Sequence, residues 1–202
     1  MPQAKLDLFA ENKTEYVQCK TPRIVTIDWA WHLAVDGKGK PGQPEFQDKL
    51  AALYTVAYAL KQASKKAGRD YAVCKLEGLW HLDIGHADFK TAPAPAWNWT
   101  LAIRTPEFIG PAELETAKRD LLAAGKPAAV ADTGLAGMEE GKCVQMLHIG
   151  PYDQEEPTLA AMHAFLEANG LLVIGRHHEI YLSDPRRTAP EKLKTLLRLP
   201  VA

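Results

Sequence analysis

The sequence has three cysteines, Cys19, Cys74 and Cys143. They are odd in number and far apart, so neither a disulfide framework nor a cysteine-based zinc site is expected. A reducing, cytoplasmic compartment is the expectation. An excess of charge of one sign is also missing: Lys+Arg is 24 against Asp+Glu 25, a formal net charge of -1. No general electrostatic attraction to a polyanion follows, so direct nucleic-acid binding is not expected. No apolar run approaches the roughly 18 residues of a membrane span. The opening MPQAKLDLFAENKTEY has no basic stretch followed by an apolar one, so no secretory leader is expected. There is no Gly-x-Ser-x-Gly elbow, and no H-x-x-x-H or C-x-x-C spacing. Gly37-Lys38-Gly39-Lys40 lacks the G-K-[ST] ending of a phosphate loop. His177 and His178 are neighbours and project to opposite faces of a strand. Neither a metal nor another cofactor is expected. Cys74 reads as a buried strand cysteine, because nothing in the sequence pairs it with a base.

What is present is an ordinary globular composition, 47% hydrophobic and 24% charged over 202 residues. That length suits one sizeable core or two small fused units. Residues 23–35 alternate with period two: Val25, Ile27, Trp29, Trp31, Leu33 and Val35 share one face, a strand pattern that assigns Trp29 and Trp31 to the core. Residues 44–67 carry Phe46, Leu50, Leu53, Ala57 and Leu60 at helical spacing, opened by Pro44 and closed by Gly68. Residues 71–82 and 97–104 read as strands. The Ala/Pro-rich 85–96 between them reads as a loop. A shorter helix is expected within 107–125, a flexible connection over 131–141, and a strand over 142–149. A helix over 153–169, a strand over 171–183 with a break at Gly175, and a final strand or mixed segment over 190–201 complete the chain.

The order strand, helix, strand, strand is thus expected twice, in residues 23–104 and 142–200, within a single domain of 1–202. Helices alternating with paired strands imply an α+β fold: an antiparallel sheet, helices on one face, and a central cleft. Two strand segments hold unusual residues. Glutamate is a poor strand residue, yet Glu77 lies in KLEGLWH and Glu179 in HHEIYLSDPR. Aligning the halves places Glu77 and Glu179 in equivalent strands. In the second segment Ile180 and Leu182 are expected to face the helices, with Glu179 and Tyr181 sharing the other face. A carboxylate and a phenol with tryptophans nearby suit a small-molecule site.

The stretches VDGKGKPGQPEFQDKLAALYTVAYALK, KLEGLWH, WNWTLAIRTPEFI, HIGPYDQEEPTLAAMHAFLEANG and RHHEIYLSDPRR occur in the order of a known pattern. The chain resembles the GyrI-like small-molecule-binding superfamily, and within it the stand-alone branch of cyclopropanoid cyclopropyl hydrolases. The pattern departs at Lys75 and His81, where that branch has Pro and a second Trp. The resemblance implies a tandem strand-helix-strand-strand fold and an aromatic or amphipathic small-molecule partner. It implies hydrolysis of the cyclopropane of a DNA-alkylating toxin, a detoxification. Two alternatives stay open: a non-catalytic protein that binds or sequesters drugs, and an interaction protein that modulates gyrase. Carried over by motif, Glu179 is the base, with Tyr181 and Tyr54 as phenols beside the reaction. Trp80, Trp97, Glu77 and Tyr152 belong to the ligand-contacting motifs.

Overall fold

The structure is a computed structural model that describes residues 5–83 and 92–202. The chain divides into two compact units, each with strands and helices of its own. Unit 1 comprises the described parts of Met1–Glu11, Ala30–Cys74 and Trp80–Met138. Unit 2 comprises Asn12–Trp29, Lys75–Leu79 and Glu139–Ala202. The strand ladders are antiparallel and the fold is α+β. Among the described residues no helix is long and apolar enough to cross a membrane.

Unit 1 holds α1 (Leu8–Glu11), β2 (Ala30–Lys38), α2 (Pro44–Lys66), the end of β3 (Leu76–Leu82), β4 (Trp97–Arg104), α3 (Pro111–Ala123) and β5 (Gly134–Met138). β2 lies between β4 and β5, with Leu33 opposite Ile103 and Leu135, and Val35 opposite Leu101. The α2 stripe closes this face: Leu53, Val56 and Leu60 are buried, as are Leu33, Val35, Leu101 and Ile103. Each such side chain contributes about 1.5–3 kcal/mol by leaving water. Pro44 occupies the first turn of α2, and Gly68 follows its C-terminus at φ +82°.

One close approach fixes a glycine. Gly37 pairs with Trp99, and a Cβ at position 37 would overlap the Trp99 ring. The indole lies across the glycine and donates from Nε1 to the Gly39 carbonyl at 3.0 Å. Gly37 therefore serves the packing of Trp99. Gly37→Val is expected to cost about 1–3 kcal/mol by overpacking, read as a lower urea midpoint. An unchanged midpoint together with unchanged tryptophan emission would contradict this role.

Unit 2 holds β1 (Arg23–Ile27), β6 (Gly141–Ile149), α4 (Glu156–Ala168), β7 (His177–Tyr181) and β8 (Lys194–Pro200). β6 lies between β1 and β8, and β7 pairs with the other edge of β8. α4 packs Met162 and Leu166 on Val144, Leu197, Leu199 and Val201.

The order strand, helix, strand, strand occurs as β2-α2-β3-β4 and as β6-α4-β7-β8. Several boundaries differ from the sequence pattern. Residues 23–35 form two strands, split at Asp28-Trp29, and the two belong to different units. The alternation runs through the break because each strand alternates by itself. Trp29, expected in the core, sits at the break and is 47% exposed. The expected flexible connection 131–141 contains β5, whose glycines conceal a strand held by its backbone ladder to β2. The strand expected over 71–82 starts at Leu76, and the one over 171–183 is confined to His177–Tyr181. The expected loop 85–96 lies outside the described residues up to 91, and Ala94–Ala96 form a single 3-10 turn.

Candidate functional site

The faces of β7 decide what its polar residues can reach. Glu179 lies opposite Leu197, and Tyr181 opposite Thr195. Leu197 belongs to the cluster covered by α4, so His177, Glu179 and Tyr181 share the α4 side of the sheet. His178 and Ile180 point to the other side. This reverses the sequence expectation, which put Ile180 toward the helices. The reason is that both faces of β7 are covered: Ile180 is fully buried on the face away from α4. An apolar position therefore does not mark the helix side here.

Beside Glu179 the chain enters α4. A 3-10 turn, Tyr152–Gln154, brings the Tyr152 ring edge-on to Tyr181, with centroids 5.6 Å apart. Glu155 follows, immediately before the helix. Ligand atoms of Glu155, His177 and Glu179 all lie within 4.8 Å of one another, and His177 Nε2 is 3.2 Å from Glu179 Oε1. Glu155 is 7% exposed, and its Oε1 is buried without a hydrogen-bond partner. Burial, reinforced by the charge of Glu179, pushes the Glu155 carboxyl up to about 9. His177 and Glu179 remain partly open to solvent.

The opposite face of β7 carries a second constellation. His178 Nε2 is 3.1 Å from Glu77 Oε2, and His178 Nδ1 is 2.9 Å from Glu140 Oε2. Tyr16 donates to Glu77 Oε1 at 3.3 Å. Arg198 donates to Glu140 at 2.9 Å, to Gln145 at 2.9 Å and to the Glu15 carbonyl at 2.8 Å. Burial alone disfavours an imidazolium, but the carboxylates of Glu140 and Glu77 outweigh it and push His178 up to about 9. The charged ring is thus shared between two carboxylates. Glu77, expected against ligand, is 2% exposed and engaged within this network.

Glu140 supplies a pH dependence whose sign is fixed. Burial opposes its charge, but His178 and Arg198 prevail and hold it at about 2, against an ordinary 4.5. A depressed carboxylate contributes stability that is fully present above its unfolded value and lost as pH falls through the folded one. The contribution is about 3 kcal/mol by linkage. Urea midpoints are therefore expected to fall between pH 4.5 and about 2, and Glu140→Gln to flatten that limb. Parallel losses in both proteins would assign the limb to other groups.

The remaining sequence-predicted residues lie in unit 1. Trp80 and Trp97 meet edge-on at 6.1 Å, Phe46 of α2 stacks on Trp80 at 6.1 Å, and Lys40 Nζ lies 5.4 Å over Trp97. Trp80 is buried and Trp97 half-buried. Tyr54 stacks on Tyr58, one turn along α2, at 6.3 Å. The structure thus brings Glu179, Tyr181 and Tyr152 together in unit 2, and Trp80 with Trp97 in unit 1. Sequence reasoning missed Glu155, His177, Glu140, Arg198 and Tyr16. The two acidic residues 155 and 156 at the start of a helix were the one available signal for Glu155, and they look like dipole-complementing surface charges.

Residues 132–202 match the GyrI-like small molecule binding domain family. No curated protein matches the sequence. An uncharacterized conserved protein from Listeria innocua is 40% identical, with 98% of this chain and 100% of that chain covered and a TM-score of 0.90. A protein from the same organism described as a hydrolase is 38% identical over 98% of this chain and 100% of its own, with a TM-score of 0.88. The C-terminal domain of EcmrR shares the fold at 11% identity, with 90% of this chain and 97% of that chain covered and a TM-score of 0.60. With this fold, and with full-length relatives at this identity, the chain belongs to the GyrI-like family of small-molecule-binding domains.

Proposed function

We propose that this protein is a hydrolase that adds water across the strained cyclopropane of a flat aromatic, DNA-alkylating compound, with Glu179 as general base. The observation that carries the reading is the placement of Glu179: half-shielded on the α4 side of β7, with His177 3.2 Å away and the Tyr152–Tyr181 pair on the same side. Support also comes from relatives at 38% identity that are described as hydrolases. Glu179 takes one proton from water, and the water oxygen bonds to the less hindered ring carbon. The cleaved carbon–carbon bond sends its electron pair through the conjugated ring to the distant carbonyl, which takes up a proton as the ring aromatises. The Tyr181 phenol, two residues along the same strand face, is the donor assigned to that developing oxyanion. Glu77 is assigned to the buried network instead.

The test is incubation of the protein with a cyclopropane-containing duocarmycin-type compound, with products read by mass spectrometry. The expected product is the ring-opened hydrate, formed faster than in buffer. Tight binding without hydrate would overturn the hydrolase reading in favour of sequestration.

A further inference from the structure

We infer that Glu155, His177 and Glu179 form a binding site for a divalent transition-metal ion of the zinc type. Three observations converge on it. The first is the donor set: one imidazole nitrogen and two carboxylates within 4.8 Å of one another. Two donors are fixed by strand β7 and the third by the residue that opens α4. The second is spacing. Zinc–nitrogen and zinc–oxygen bonds of about 2.0–2.1 Å put neighbouring ligands of a tetrahedral ion about 3.3 Å apart. His177 Nε2 and Glu179 Oε1 already stand at 3.2 Å. The third is independent of both. Glu155 is 7% exposed, and its Oε1 is buried without a partner. Buried acceptors are nearly always satisfied, and an ion held by the other two side chains satisfies this one.

Charge and chemistry select the ion. Among the described residues neither Glu155 nor Glu179 is paired with lysine or arginine. An ion displaces the proton of Glu155, and the two carboxylates then balance its double positive charge. An imidazole ligand favours zinc or its neighbours over magnesium and calcium, which prefer all-oxygen shells. His177 and Glu179 keep solvent access, which leaves a path of entry and a position for water as the fourth ligand. The sequence concealed the site because the third ligand comes from a different element, at no motif spacing. Binding does not depend on the hydrolase reading. One consequence does rest on that reading: an ion on Glu179 occupies the oxygen that takes the proton, so zinc inhibits hydrolysis.

The experiment is a calorimetric titration of the full chain, stripped with a chelator, with Zn²⁺. One ion per chain is expected, without competition from Mg²⁺ at the same concentration. Glu155→Gln and His177→Ala are each expected to weaken binding by more than about 100-fold, beyond the 10–100-fold typical of outer-shell changes. His163→Ala, on the exposed side of α4, is expected to leave binding unchanged. Circular dichroism establishes that each variant is folded, and the conservative Glu155→Gln keeps side-chain size. Co²⁺ in place of zinc is expected to give a spectrum of nitrogen and oxygen ligands. Absence of stoichiometric binding, binding indifferent to both substitutions, or a thiolate band from cobalt would each overturn the site. None of these readouts uses a substrate, so failure here and failure of the hydrolase reading are distinguishable.

Discussion

Glu179→Gln is expected to slow hydrolysis by ~10²–10⁴-fold, the range typical of removing a positioned base, while ligand affinity stays close to wild type. Glutamine keeps the volume of the side chain and one acceptor oxygen, so the Tyr152–Tyr181 edge contact has no reason to move. What it loses is the ability to take a proton from water. The matched control is Glu77→Gln. Glu77 bonds to His178 and Tyr16 on the other face of the strand pair, so that substitution should lower stability and leave the single-turnover rate of the folded protein nearly unchanged. Affinity by tryptophan quenching and single-turnover rate by product mass separate the two cases. Equal rates for Glu179→Gln and wild type remove Glu179 as the base. A rate collapse at Glu77 alone transfers the role to the opposite face.

These contrasts show what the sequence could and could not convey. The α2 stripe was legible because that helix buries one face, and Leu53 and Leu60 fall where the period puts them. The strand 97–104 was legible from its composition instead: Trp99, Leu101 and Ile103 alternate along it and are all buried, although the residues between them are buried too. Glu179, Tyr181 and Tyr152 were reached through a motif, and the structure places them side by side. The orientation of β7 was not legible. Alternation says that Glu179 and Ile180 point to opposite faces, but it cannot say which face carries a helix when neither is left fully open to solvent. Glu155 was hidden for another reason. Its proximity to Glu179 arises from the register of β7 on β8 and the docking of α4 on β6 and β8, neither of which is encoded locally. Likewise, nothing in KLEGLWH announces that Glu77 meets a histidine about one hundred residues away. Buried polar networks are tertiary facts, assembled from side chains that each look like surface residues in isolation.

The largest loss of stability is expected at that network. His178→Leu removes the imidazolium held between Glu77 and Glu140, at 3.1 and 2.9 Å. Leucine fills much of the volume, so packing is not the principal loss. Glu77 keeps Tyr16 and Glu140 keeps Arg198, but two buried carboxylates then face a single cation. Removing one partner from a buried charge network costs about 3–5 kcal/mol. For a chain of this size that lowers the melting temperature by roughly 6–20 °C. The cause is testable by compensation. If uncompensated charge is responsible, Glu77→Gln added to His178→Leu recovers part of the loss, because one of the stranded carboxylates is gone. If the polar contacts of Glu77 themselves supplied the stability, the second substitution deepens the loss. Urea denaturation of the two single variants and the double variant yields the coupling directly, and an additive or worse double variant rules out the charge-balance account of His178.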